Sequence, residues 1–249
     1  MRCFMDSSPD RHPSARFPTT HWSRVVAAVG QLAPEAQEAL ADLCRAYWYP
    51  LYAFIRRKGY DPDSAEDLVQ GLFAGLLERD ALRNIDPARG RFRSFLMACC
   101  VNHLSRHREH EQAQKRGGGR KAIPIDRLNA EARLGSEPFH QLTPERLFER
   151  QWALTLLDRV LGRLDGEMER SLKLTLYRCL RPTLLGQETG PPYSEVAASL
   201  GLTEGAVKMA AFRLRGRYRQ LLRDEIGRTV ADPAEVDEEI AALLAAIGA

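Results

Sequence analysis

Lysine is scarce in this chain. Five of its 36 basic residues are lysine (58, 115, 121, 173 and 208), which leaves 31 arginines. Long apolar runs are missing as well. The longest lies in IAALLAAIGA at the C-terminal end, far short of the ~20 residues a membrane-spanning helix takes. The first 18 residues, MRCFMDSSPDRHPSARFP, hold no apolar core of signal-peptide length. Together these absences exclude membrane insertion and predict a cytoplasmic chain. Five cysteines, at 3, 44, 99, 100 and 179, are odd in number and form no disulfide framework, as expected for a reducing compartment. No Gly-rich phosphate loop, Ser-His-Asp order or paired-carboxylate site stands out. The sequence therefore predicts no enzyme and no cofactor.

What is present is helical. An apolar fraction of 44% supports packed cores in one large domain or two small ones. From Thr20 to Arg108 the apolar residues recur at helical spacing. Leu40, Leu43, Cys44, Tyr47 and Trp48 form one stripe, and Leu51, Phe54 and Ile55 continue it past Pro50. Leu68, Val69, Leu72, Phe73, Leu76 and Leu77 form another, and Phe92, Phe95, Leu96, Cys99, Cys100, His103 and Leu104 a further one. No alternating strand pattern competes. The glycine-bearing stretch KRGGGRKAIPIDRLNAEARLGSEPFHQLTPE reads as a linker. Thr143-Pro144 then reads as an N-cap with proline at the first helical position. The expectation is all-α: two small helical domains joined by a flexible linker. Their bounds are a disordered segment at 1–18, a first domain at 19–115, the linker at 116–142, a second domain at 143–228 and an acidic extension at 229–249.

Net charge is only +3, but its distribution is uneven. Residues 61–86 hold seven acids against two arginines. Residues 89–121 hold nine bases against two acids, and residues 203–228 seven against three. Two basic patches in separate domains fit two contacts with one polyanion. Arginine suits phosphate and guanine edges, although codon bias in a GC-rich genome also raises its share.

The sharpest motif is YSEVAASLGLTEGAVKMAAFRLRGRYRQLL, Tyr193 to Leu222. A helix-turn-helix needs a small residue where its helices cross, a glycine four residues later and a branched apolar residue six beyond that. Ala197, Gly201 and Val207 meet all three demands. Thr203 is a good N-cap, with Leu200 and Leu202 as core plugs beside the turn. Val207, Ala211, Leu214 and Tyr218 should be buried. Glu204, Lys208, Met209 and Phe212 should face the major groove, with Arg213 and Arg215 at the phosphates.

YDPDSAEDLVQGLFAGLLE (60–78) followed by GRFRSFLMACCVNHLSRHRE (90–109) resembles conserved region 2 of the extracytoplasmic-function group of bacterial sigma-70-type RNA polymerase sigma factors. The helix-turn-helix resembles region 4 of the same family. The resemblance implies a promoter-specificity subunit whose partners are core RNA polymerase and promoter DNA, with an anti-sigma factor or other regulator as a further partner. By resemblance, Asp63, Glu66, Asp67, Leu68 and Gln70 dock on the polymerase. Arg93, Ser94, Asn102, His103, Arg106 and His107 read and open the −10 element. Thr203, Glu204, Lys208, Met209, Phe212, Arg213 and Arg215 hold the −35 element. Gly71 and Arg106 stand where the family often has an acid, and Met209-Ala210 replaces a common Ser-Arg pair.

Other readings compete. An ordinary helix-turn-helix regulator with an unrelated N-terminal domain would bind DNA without polymerase. Cys99, His103 and His107 at i, i+4, i+8 have a spacing that permits zinc ligation, but two of them lie on an apolar stripe and no metal is expected. In the tail, Ile240, Leu243, Leu244 and Ile247 share one helical face behind Asp237, Glu238 and Glu239. The tail is expected either to pack as a terminal helix or to cover the arginines of 213–223 and compete with phosphate.

Overall fold

The computed structural model describes residues 34–78, 91–113, 127–136, 142–170, 174–185, 190–230 and 232–248. Among these the fold is all-α, with no strand. The described residues form nine helices, in the order α1 (Pro34–Arg57), α2 (Pro62–Glu78), α3 (Phe92–Ala113), α4 (Arg127–Ser136), α5 (Pro144–Glu169), α6 (Leu174–Leu180), α7 (Tyr193–Leu200), α8 (Glu204–Gly227) and α9 (Val236–Gly248). Short 3-10 turns follow α6 and precede α9. The expected disordered segment 1–18 lies outside the described residues.

Helix α1 is buried on every side from Tyr47 to Ile55. A helix apolar all round must have neighbours all round. Here α2 and α3 cover part of it, and α5 runs along the rest. Pro50, inside this helix, can donate no backbone hydrogen bond, so tertiary packing rather than propensity holds the segment. Tyr47 meets Phe92 edge to face, with ring centroids 5.1 Å apart, and Trp48 stacks on Tyr52 at 5.1 Å.

Helix α4 falls inside the stretch expected to be linker. Only Ala130 and Leu134 of its described side chains are buried, which gave the sequence little periodicity. A polar tie supplements them. Glu131 accepts from Arg56 Nε at 2.8 Å and Nη2 at 3.0 Å, and from the Tyr52 hydroxyl. Residues 116–126 and 137–141 of that stretch lie outside the described residues.

Helix α5 starts as expected. Thr143 Oγ1 accepts from Arg146 N at 3.3 Å, with Pro144 behind it. This helix is the hub of the molecule. It packs on α1, on α8 and on α9, and a single hydrophobic core runs from Cys44 through Trp152 and Leu164 to Leu243. Its far half is pinned to α8 by Glu225, whose buried carboxylate lies 3.0 Å from Arg159 Nε, 3.1 Å from Arg163 Nη1 and 3.2 Å from Arg228 Nη1. The two expected domains thus share one core through α5.

Candidate nucleic-acid and polymerase interfaces

Helices α7 and α8 form a helix-turn-helix. Gly201 ends α7 at φ 65° and ψ 31°, in the left-handed region that favours glycine. Leu202 N donates to Ala197 O at 2.9 Å across the turn. Thr203 Oγ1 then caps α8 by accepting from Ala206 N at 3.2 Å. Ala197 and Val207 are buried against each other's helices, with Ala211 and Leu214 further along. Leu200 is half-buried, but Leu202 is 42% exposed and so is no core plug. It follows the left-handed glycine, and the chain reversal points it outward. Tyr218 is half-buried beside the core rather than within it. Replacing Gly201 by valine forces a β-branched residue into positive φ, which costs roughly 1–2 kcal/mol. A urea titration should show that loss, with Gly201→Asn falling closer to the native chain.

The outward face of α8 is as the sequence predicts. Thr203, Glu204, Lys208, Met209, Phe212, Arg213 and Arg215 are all exposed, Met209 and Phe212 at 54% and 66%. Lys208 Nζ lies 2.6 Å from Glu204 Oε1, one turn away. Arg215 Nη2 donates to the Tyr193 hydroxyl at 2.7 Å, which ties it to α7. Arg217 is engaged by Glu167 at 2.7 Å and Arg223 by Asp237, so these two are already committed inside the molecule.

On α3, Phe92, Leu96, Cys100 and Leu104 recur every four residues as its buried stripe. Ser94, Asn102 and Arg106 are exposed and, at 3.6 residues per turn, share one side. His103 and His107 are half-buried. His103 lies against Gly71 of α2, where an added Cβ would sit 3.4 Å from the imidazole Nε2. The His107 ring lies 6.2 Å from the ring of Tyr60. The two histidines therefore face separate neighbours. Among the described residues, no three His, Cys, Asp or Glu side chains are grouped to hold a metal ion. Burial pushes the Cys44 and Cys100 thiols up to about 12, so neither is a nucleophile near neutral pH.

Arg93 departs from its expected place on the DNA side. It is only 8% exposed and is paired with Glu149 and Glu239, and its guanidinium sits 4.6 Å over the Trp152 ring. One residue from Ser94 is a turn of about 100° round the helix, which brings Arg93 to the inward side with Phe92 and Leu96. Pairing across 146 residues of chain was not visible in the sequence.

Helix α2 begins at a side-chain cap on Asp61. Asp61 accepts from Ser64 N at 3.0 Å and from Ser64 Oγ at 2.6 Å. Those bonds hold the Asp61 carboxyl below its usual range. The pattern Asp-x-x-Ser before an apolar run was the available signal. Asp63 and Asp67 are exposed, and Glu66 and Gln70 are half-buried and bonded to each other at 3.2 Å. Leu68 is 4% exposed and belongs to the core, not to a docking surface. It continues the stripe that packs α2 on α1 and α3.

Residues 43–114 match the family model for sigma-70 region 2. The match takes in most of α1, all of α2 and α3, and less than a third of the chain. It supports a sigma-70-type sigma factor acting in transcription initiation, a family of non-enzymatic factors whose partners are core RNA polymerase and promoter DNA. No curated protein and no solved structure matches the chain. The helix-turn-helix lies beyond the matched residues and stands on its own geometry. Among the described residues, no helix is long and apolar enough to cross a membrane.

Proposed function

We propose that the chain is a sigma factor of the extracytoplasmic-function type, working in the cytoplasm as the promoter-specificity subunit of RNA polymerase. The observation that carries this reading is the order of two features. A region 2 match over residues 43–114 is followed by a helix-turn-helix whose second helix presents an exposed, basic face. In this reading Thr203, Glu204, Lys208, Met209, Phe212, Arg213 and Arg215 hold the −35 element. Ser94, Asn102, His103, Arg106 and His107 act at the −10 element, where unstacked bases need amide and imidazole donors and arginine serves the backbone. Asp63, Glu66, Asp67 and Gln70 meet core polymerase, and Leu68 supports them from behind. An anti-sigma factor or other regulator is a further partner of the same surfaces.

The acidity of α2 favours a basic protein partner and repels phosphate. Asp67 is exposed, so its replacement leaves the core packing unchanged. Asp67→Arg should therefore lower affinity for core polymerase at least tenfold, read by gel filtration or surface binding. Binding of the same full-length chain to duplex DNA should not fall. Undiminished assembly of the variant with core enzyme would overturn the assignment of α2.

A further inference from the structure

The acidic tail is not spread over the arginines of 213–223. It forms α9, which lies on α5 and α8 with Leu243 fully buried and Val236 nearly so. Ile240 and Ile247 are half-buried, and Leu244, expected on the packed face, is 61% exposed. Of its three leading acids only Asp237 reaches the expected stretch, on Arg223. The other two reach back to the start of α3. Glu238 Oε2 lies 3.1 Å from Arg91 Nη2. Glu239 Oε2 lies 2.9 Å from Arg91 Nε and 3.1 Å from Arg93 Nη2, and its Oε1 lies 2.8 Å from Arg93 Nε. The far end is held by Arg150 Nη1 on the carbonyl of Ile247 at 2.8 Å.

We infer that α9 is an internal stand-in for nucleic acid, its Glu238 and Glu239 carboxylates occupying on Arg91 and Arg93 a phosphate-binding site that promoter DNA takes once the helix has left. The inference rests on the proposed sigma-factor reading for the identity of the DNA, and on the geometry for the site. Arg91 precedes α3 and Arg93 opens its inward side, on the helix whose outer side carries Ser94, Asn102 and Arg106. Carboxylate and phosphate are the two anions that a guanidinium fork binds with matching geometry. Glu239 contributes a fully buried carboxylate to two arginines more than 140 residues earlier in the chain.

The test uses full-length protein and a labelled 30-base-pair duplex of arbitrary sequence, without polymerase, across a salt series. Glu239→Gln keeps the shape and removes the charge. It should raise duplex affinity about tenfold near 0.1 M salt. It should also steepen the slope of log K against log salt by one to two, since each new phosphate contact adds about 0.9. Adding Arg91→Ala to Glu239→Gln should remove much of the gain, whereas adding Arg178→Ala, which restores the net charge equally at an exposed position on α6, should leave it. Hydrogen exchange should show faster exchange along α9 in the variant. A second variant, Asp237→Ala with Glu238→Ala, changes only exposed side chains and should give a smaller gain that is again lost with Arg91→Ala. Loosened α9 amides with unchanged affinity and slope, or a gain indifferent to Arg91, would overturn the inference. If the gain appears but the chain never supports transcription with core enzyme, the masked site stands and the sigma-factor reading falls.

Discussion

Trp152→Ala should lower the stability of the chain by about 3–5 kcal/mol, the usual cost of emptying a buried tryptophan site. Trp152 is 2% exposed, at the middle of the core that joins α1, α5 and α9. Its ring also carries the Arg93 guanidinium at 4.6 Å, an interaction of about 0.5–2 kcal/mol depending on desolvation. The substitution removes both contributions. It leaves Arg93 held by carboxylates alone, so the seat of α9 weakens along with the core. A urea titration should show the midpoint falling sharply, and Trp152→Phe, which keeps an aromatic face under Arg93, should recover part of the loss. A midpoint within error of the native chain would mean that α5 is not the hub described above.

The second large effect concerns DNA. Replacing Lys208, Arg213 and Arg215 together by alanine should flatten the salt dependence of promoter binding by about three. Each lost phosphate contact subtracts about 0.9 from the slope, so affinity near 0.1 M salt should drop by two to three orders of magnitude. All three side chains are exposed on α8, and folding should survive their loss. Lys208 is held upright by Glu204 and Arg215 by the Tyr193 hydroxyl. These contacts pre-place the two cations, so Glu204→Ala and Tyr193→Phe should each cost a small further part of the same affinity. Anisotropy titrations at several salt concentrations supply both slope and affinity. An unchanged slope would take this face of α8 out of the interface.

Local spacing was legible in the sequence, and long-range pairing was not. Ala197, Gly201, Thr203 and Val207 lie within eleven residues, and each does what its spacing requires. The cap at Thr143 was legible for the same reason. Helix α4 was not. It buries Ala130 and Leu134 and leans for the rest on Glu131, whose partners Tyr52 and Arg56 are more than 70 residues away. Arg93 read as a DNA contact because a lone arginine on a basic helix gives no sign of the carboxylates it meets. Glu239 read as a tail acid for the same reason. Leu68 carried two signals, an apolar stripe and a docking motif, and the stripe decided its position. The tail's helical face was legible in Leu243 and Ile247, but its outer limit at Leu244 depends on where α5 and α8 stop.

The central claim is that this chain directs core polymerase to promoters. Transcription with sigma-free core enzyme on a library of fragments from its own genome tests it most directly. Added chain should produce discrete transcripts whose start sites share sequence elements near −10 and −35, and Asp67→Arg should abolish them. Absence of any chain-dependent transcript, with the chain still binding specific duplexes on its own, would contradict the account and identify a regulator that binds DNA without polymerase.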